Sequence, residues 1–146
     1  MLAYRYPGAH PFSTDQRSIF FGRQRDIDRL HKIVGIEQTV VLFSKSGLGK
    51  SSLINAGLLP RIETEGRYQP LVVRFGAYTG EGKNLLTTCA KYIAPMEGSS
   101  DLLDRLIPQE NSLWYHLKTA QITHPEQGSI LLIFDQFEEI FTYPEH

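Results

Sequence analysis

Apolar residues recur along the first half of the chain with two different periods, which predict helices and a strand. Residues 24–34 place apolar side chains at helical spacing between charged ones, which predicts an amphipathic helix that ends at Gly35. Residues 39–43 form a short apolar run rich in β-branched side chains, typical of a strand buried on both faces. Residues 50–59 then predict a second helix, stopped by Pro60.

The second half of the chain continues this alternation. Two further apolar strands are predicted at residues 69–75 and 130–134, with helices between them at residues 84–93, 101–106 and 112–122. Because each predicted strand is apolar throughout, we expect helices to cover both faces of a mostly parallel sheet. The predicted fold class is therefore α/β.

Composition narrows the class of protein. A chain of 146 residues is the size of one domain, which we place at residues 21–146 after an irregular lead-in at residues 1–20. Fifteen basic and 16 acidic residues leave no excess positive charge for nucleic acid, and a single cysteine excludes an internal disulfide. No apolar run reaches the roughly 18–20 residues that span a bilayer, and no secretory signal is visible. We therefore expect a cytoplasmic protein.

A glycine- and serine-rich turn, here called the phosphate loop (residues 44–51), joins the first predicted strand to the following helix. Backbone N–H groups in such a turn, together with a helix N-terminus, bind phosphate oxygens. Glycines have no side chain, so they let these oxygens approach the backbone closely. Lys50 is expected to reach the β- and γ-phosphates, and the Ser51 hydroxyl to hold Mg²⁺. The predicted nucleotide-binding residues here are Ser44, Ser46, Gly47, Leu48, Gly49, Lys50, Ser51 and Ser52.

Ser44 stands where the Walker A pattern has its first glycine. Ser52 is expected on the side of the α-phosphate. The alternative interpretation of the whole segment is a glycine-rich connector with a solvent-exposed lysine.

An acidic group follows the last predicted strand. Asp135 at the strand end is expected to bind Mg²⁺ through its carboxylate, as in a Walker B element. Glu138 and Glu139 are the candidate catalytic residues, because one of them could orient and deprotonate an attacking water. The alternative is structural, with Asp135 and Glu138 capping a short helix.

Three stretches resemble the STAND branch of P-loop NTPases, and most closely the bacterial novel STAND group. They are Tyr-Pro-Gly-Ala-His-Pro-Phe at residues 6–12, Phe-Phe-Gly-Arg-Gln at residues 20–24, and Asp-Gln-Phe-Glu-Glu-Ile-Phe at residues 135–141. The resemblance implies a three-layer α/β/α P-loop NTPase fold. It also implies that Phe21, Gly22 and Arg23 lie near the adenine or ribose, with core packing as the alternative for the phenylalanines.

The same resemblance implies an ATP-dependent molecular switch, in a setting such as bacterial defence against phage. ATP is favoured over GTP because the chain has no Asn-Lys-x-Asp tetrad to read guanine. In this group a later strand lies between the phosphate-loop strand and the strand that ends in the metal-binding aspartate. The residues after Asp135 are too few to supply it, so we expect an incomplete core. We expect a fragment of a longer protein, and the alternative is a stand-alone remnant with an incomplete sheet.

We therefore expect an ATP–Mg²⁺-binding switch module, with efficient ATP hydrolysis belonging to the full protein. Its expected partners are ATP and either a second copy or further domains of a longer chain. The alternative is a non-catalytic module in which bound nucleotide stabilises a self-association surface. An initiator-like ATPase that acts on DNA is a third hypothesis, against which the near-neutral charge argues.

Overall fold

The computed structural model describes residues 8, 10–76, 88–89, 92–93, 105–106 and 112–142. The chain forms two compact units, Met1–Glu65 and Gly66–His146, which are described separately below. Among the described residues, no helix is long and apolar enough to cross a membrane.

The first unit is built from helices. Its elements are a 3-10 helix at Thr14–Ile19, α1 at Gln24–Val34, α2 at Lys50–Ser52, a π-helical segment at Leu53–Leu58 and α3 at Leu59–Glu65. The bounds predicted for α1 are confirmed, and the helix ends where the Gly35 N–H donates to the His31 carbonyl, 3.1 Å away. Ile27 and Leu30 are buried, as the amphipathic pattern requires.

The helix that begins at Lys50 does not stop at Pro60, so this prediction is wrong. The helix passes through the π-helical segment, in which the Leu59 N–H donates to the carbonyl of Ile54, five residues earlier. Pro60 has no N–H with which to continue this pattern onto the Asn55 carbonyl. The Thr14 hydroxyl donates to that carbonyl instead, at 3.2 Å, and Pro60 lies in the first turn of α3, where proline is tolerated.

The strand predicted at residues 39–43 is also wrong, because this segment has no strand assignment in the structure. Val41 and Phe43 are 78% and 86% exposed. A strand needs a neighbour to satisfy its backbone groups, and no described strand pairs with this segment.

Two contacts between a basic and an acidic side chain join α1 to α3. Arg61 Nη2 lies 2.6 Å from Asp28 Oδ1, and His31 Nε2 lies 3.0 Å from Glu65 Oε1. The hydrogen bond from Arg61 holds the pKa of Asp28 below its ordinary value. Both pairs are partly exposed, so they orient the helices more than they stabilise them.

The second unit contains a parallel pair of strands. Its elements are β1 at Tyr68–Arg74, α4 at Leu113–Thr123, a 3-10 helix at Pro125–Gln127, β2 at Ser129–Asp135 and a 3-10 helix at Phe137–Thr142. The strands run in register from Tyr68 opposite Ser129 to Arg74 opposite Asp135. Both strand predictions and their parallel arrangement are confirmed. The helix predicted at residues 112–122 is confirmed as α4, where the Ser112 hydroxyl accepts from the Tyr115 N–H.

The core of the second unit lies on one face of β1. Its buried residues are Leu71, Val73, Phe75, Cys89 and Ile93, with Ile130, Leu132 and Phe134 of β2 packed against them. The helices predicted at residues 84–93 and 101–106 lie mostly outside the described residues. The pairs 88–89, 92–93 and 105–106 are described, and they are helical. Helices with a small parallel sheet agree with the α/β class.

Candidate functional site

The phosphate loop has the backbone conformation that its glycines make possible. Gly47 and Gly49 have φ angles of 80° and 79°, in the left-handed region that other residues adopt only with strain. Nothing lies within 4 Å of the position that a Cβ on Gly47 would take. The loop leads directly into α2, where the Leu53 N–H donates to the Gly49 carbonyl at 2.8 Å. A helix N-terminus thus follows a turn that is open at Gly47.

Lys50 folds back across the phosphate loop. Its Nζ donates to the Ser44 carbonyl at 3.0 Å, which closes a ring from the first residue of the loop to the start of α2. The Leu48 N–H donates to the Lys45 carbonyl at 3.4 Å within this ring. Ser46 and Leu48 are exposed. The ammonium group is therefore already held at the loop before any anion binds.

Arg23 connects the segment before α1 to the phosphate loop. Its Nη1 donates to the Leu48 carbonyl at 3.2 Å, and its Nε donates to Asp26 Oδ2 at 2.6 Å. The neighbouring Phe21 is 79% exposed, so core packing is not its role. Phe20 instead packs its ring against Phe12, with 5.2 Å between the ring centroids.

The two serines that follow Lys50 differ in their surroundings. Ser51 is half-buried in α2. Ser52 is buried, and its hydroxyl oxygen accepts a hydrogen bond from the backbone N–H of Phe12 at 3.1 Å. The lead-in therefore contacts the helix that begins at the phosphate loop, on the residue predicted to lie near the α-phosphate.

A cleft of about 430 Å³ opens beside the phosphate loop within the first unit. This volume lies within the range of about 300–1,000 Å³ that is usual for small-molecule sites. Its apolar wall includes Leu30, Ile33, Val40, Val41, Leu42, Phe43, Leu48 and Leu53, and its polar groups belong to Arg23, Asp26, Arg29, Ser44 and Lys50. The sequence analysis did not single out Asp26 and Arg29, although three-residue spacing from Arg23 along α1 could have found them.

The predicted acidic residues all belong to the second unit. Asp135 ends β2, and its side chain is 12% exposed. Glu138 is exposed and Glu139 half-buried, both in the 3-10 helix at Phe137–Thr142. The Glu139 N–H donates to the Gln136 carbonyl at 3.0 Å, which begins that helix one residue after Asp135.

Sequence reasoning did not assign roles to Arg74 and Gln136, which contact each other beside Asp135. Arg74 Nε donates to Gln136 Oε1 at 2.8 Å and lies 3.8 Å from Asp135 Oδ2. Gln136 is the one non-glycine residue with positive φ, 57°, in the part of the chain that the structure describes. The register of two strands decides this contact, and no local pattern reports it.

The predicted site residues thus fall into two groups. The first unit joins Arg23 to Leu48 and Lys50 to Ser44 through direct hydrogen bonds. The second unit holds Asp135, Glu138 and Glu139 within five consecutive residues.

The residues present fit a nucleotide polyphosphate and a magnesium ion by their chemistry. The open turn at Gly47 leaves room for phosphate oxygens beside the helix N-terminus and the Lys50 ammonium. Hydroxyl and carboxylate oxygens such as those of Ser51 and Asp135 are ligands that Mg²⁺ accepts. Among the described residues, no group of three His, Cys, Asp or Glu is placed to hold a metal ion.

Comparison with known proteins gives two matches. The model of the family described as Novel STAND NTPase 1 matches residues 6–146 of the chain. The chain is also 38% identical over 90 residues to the small ribosomal subunit biogenesis GTPase RsgA of Vibrio cholerae serotype O1. That alignment covers 60% of this chain but 20% of the relative, so the chain spans about one fifth of the relative's length. No solved structure matches the chain significantly.

Proposed function

Because the chain belongs to the novel STAND NTPase 1 family, we propose that it binds ATP with Mg²⁺ as the nucleotide-sensing switch of a signalling protein. At a coarser level, the family and the similarity to a GTPase support a nucleotide-binding NTPase module. The family also supports a three-layer α/β/α arrangement as the proposed fold, to which residues 21–146 would belong.

The conformation of the phosphate loop carries this proposal. Two left-handed glycines and an open turn lead into a helix N-terminus, whose first residue, Lys50, folds back onto the loop. These are the features that bind the β- and γ-phosphates in P-loop proteins.

The adjacent cleft is the proposed place for the nucleoside. Its apolar wall suits the faces of a purine ring, and the side chains of Arg23, Asp26 and Arg29 offer polar partners to its edge or to the ribose. The missing guanine-reading tetrad favours ATP. The GTPase relative makes GTP the competitor that binding experiments must include.

Ser51 and Asp135 are the residues proposed to hold Mg²⁺. A bound magnesium ion would neutralise charge on the phosphates and orient them. Glu138 or Glu139 would accept a proton from the attacking water, because a carboxylate in that role must not be a metal ligand itself. In the full protein, binding and hydrolysis would be coupled to signalling, and a role in anti-phage defence stays a prediction from the resemblance.

Substitution of Lys50 tests the binding site. Lys50→Ala is expected to weaken ATP binding by about 2 kcal/mol, roughly 30-fold, because a charged donor to the phosphates is lost. Lys45→Ala is the matched control, since it removes the same charge from the same loop. Calorimetric titration with ATP, GTP and the corresponding diphosphates measures both variants. Equal affinity of Lys50→Ala and the wild type would contradict the assigned site.

Substitution of the glutamates tests hydrolysis separately from binding. Glu138→Gln and Glu139→Gln are each expected to preserve ATP affinity. Whichever of the two glutamates accepts the proton from the attacking water, its substitution is expected to stop phosphate release. Sedimentation with and without ATP is run in parallel. ATP-dependent assembly without phosphate release from the wild-type chain would favour the alternative, a non-catalytic module stabilised by nucleotide.

A further inference from the structure

The carboxyl ends of the two strands place an arginine beside the proposed metal-binding aspartate. Arg74 ends β1 and Asp135 ends β2, and the parallel register pairs these two residues directly. The Phe75 N–H donates to the Asp135 carbonyl at 3.0 Å, which fixes the register at this point. Strand pairing therefore places the two residues side by side at the end of the sheet.

The Arg74 guanidinium is anchored next to the carboxylate rather than on it. Nε donates to Gln136 Oε1 at 2.8 Å, whereas the distance from Nε to Asp135 Oδ2 is 3.8 Å. The second distance is within ion-pair range but too long for a hydrogen bond. The Asp135 side chain is 12% exposed and that of Arg74 is 54% exposed, so a half-exposed cation lies beside a mostly buried carboxylate.

Gln136 adopts a backbone conformation that suits this contact. Its φ of 57° is left-handed, which costs conformational energy for a residue with a long side chain. Such a conformation persists where surrounding contacts hold it, and it is enriched at functional sites. Here the contact from Arg74 holds the amide, and the turn directs the chain from β2 into the helix that carries Glu138 and Glu139.

We propose that Arg74 is a positioning residue that acts as the resident counter-charge of Asp135, fixed in place by Gln136. A divalent cation that approaches the carboxylate is repelled by the guanidinium and must compete with it. The pair therefore raises the cation concentration at which the site fills. This inference rests on the proposed function, because it takes Asp135 as a ligand of the Mg²⁺ that accompanies ATP.

Cation titrations of the full 146-residue chain test this inference. The probe is Mn²⁺, followed by electron paramagnetic resonance in the presence of a non-hydrolysable ATP analogue. Arg74→Ala is expected to lower the half-saturating Mn²⁺ concentration about three- to tenfold, because a positive charge close to the ligand is removed. Gln136→Asn, which tolerates the left-handed backbone but has a shorter amide, is expected to shift it in the same direction.

Arg67→Ala is the matched control. Arg67 precedes the opposite end of β1, where its guanidinium lies 5.0 Å from the centre of the Tyr68 ring. Removing it changes the net charge equally but leaves the strand end at Asp135 intact. If Arg74→Ala and Arg67→Ala shift the Mn²⁺ midpoint equally, or if Arg74→Ala does not shift it, the counter-charge role is overturned. An unchanged midpoint in Gln136→Asn would overturn the part assigned to Gln136.

A second measurement needs no nucleotide. The side-chain Nε–H resonance of Arg74, assigned by its loss in Arg74→Ala, is followed while Mg²⁺ alone is added. We expect it to move with Mg²⁺ in the wild type and to stay fixed in Asp135→Asn. The same movement in both proteins would overturn the inference. Failure of the wild type to bind any nucleotide would refute the proposed function, and this measurement would still decide the role of Arg74.

Discussion

Arg23 connects the motif at residues 20–24 to the phosphate loop. Resemblance implied a place near the base or ribose, whereas in the structure Arg23 donates hydrogen bonds to Asp26 and to the Leu48 carbonyl of the phosphate loop. A guanidinium with five donors can hold both and still present N–H groups to a ligand. Arg23 thus anchors the loop from outside, while Lys50 closes it from inside.

Loss of this anchor is expected to weaken nucleotide binding moderately. Arg23→Ala removes one charged hydrogen bond to the loop, so we expect a cost of about 1 kcal/mol, roughly fivefold in ATP affinity. Arg25→Ala, an exposed arginine two residues further on, is the control. Calorimetric titration measures both, and equal affinities of the two variants would show that the contact with Leu48 does not matter for binding.

At the scale of elements, the crossing of α1 with the π-helical segment depends on a glycine. A Cβ on Gly57 would lie 2.7 Å from Ile27 Cγ1 and 2.9 Å from Cδ1. Ile27 is buried and its branched side chain has little rotamer freedom, so it cannot move aside easily. Close packing of the two helices therefore needs a residue without a side chain at position 57.

Gly57→Ala is expected to destabilise the protein, whereas replacing a glycine inside a helix usually stabilises it. An alanine inside a helix normally stabilises by about 0.5–1 kcal/mol, but here we expect destabilisation of about 1–3 kcal/mol from overpacking. Urea denaturation measures the free energy of unfolding. In the Ile27→Ala background the same substitution should cost less, and strict additivity of the two changes would argue against the clash.

At the scale of the whole molecule, the two compact units have separate buried cores. The second core contains Cys89, whose residue is 0% exposed. Burial raises the pKa of this thiol above its ordinary value of 9.0. Folding therefore favours the protonated thiol, so its contribution to stability is complete below pH 9.0 and falls as the pH rises through the pKa of the folded state.

The pH dependence of unfolding is expected to show this contribution. The ordinary thiol pKa is 9.0. Between pH 8 and pH 10, the melting temperature of the wild type should therefore fall more steeply with pH than that of Cys89→Ala. The variant has no thiol to titrate, and it shares all other ionisable groups with the wild type. Parallel melting curves of the two proteins across this range would contradict the burial of a protonated Cys89.

The sequence by itself determined the features that depend on near neighbours along the chain. The apolar spacing of α1, the end at Gly35, both strands of the sheet and the position of α4 were all predicted correctly. Helical periodicity and capping act over a few residues, so a single sequence contains enough information for them. The glycine-rich phosphate loop is local in the same sense, and its left-handed glycines have the expected conformation.

The tertiary structure alone decided the features that depend on partners distant in sequence. The apolar run at residues 39–43 has strand-forming residues but no described strand to pair with. Pro60 fails to end its helix because Thr14, from another segment, donates to the carbonyl that proline leaves without a donor. Arg74 meets Gln136 and Asp135 because the strands are parallel and in one register. Such contacts join residues more than 40 positions apart, and local periodicity contains no information about them.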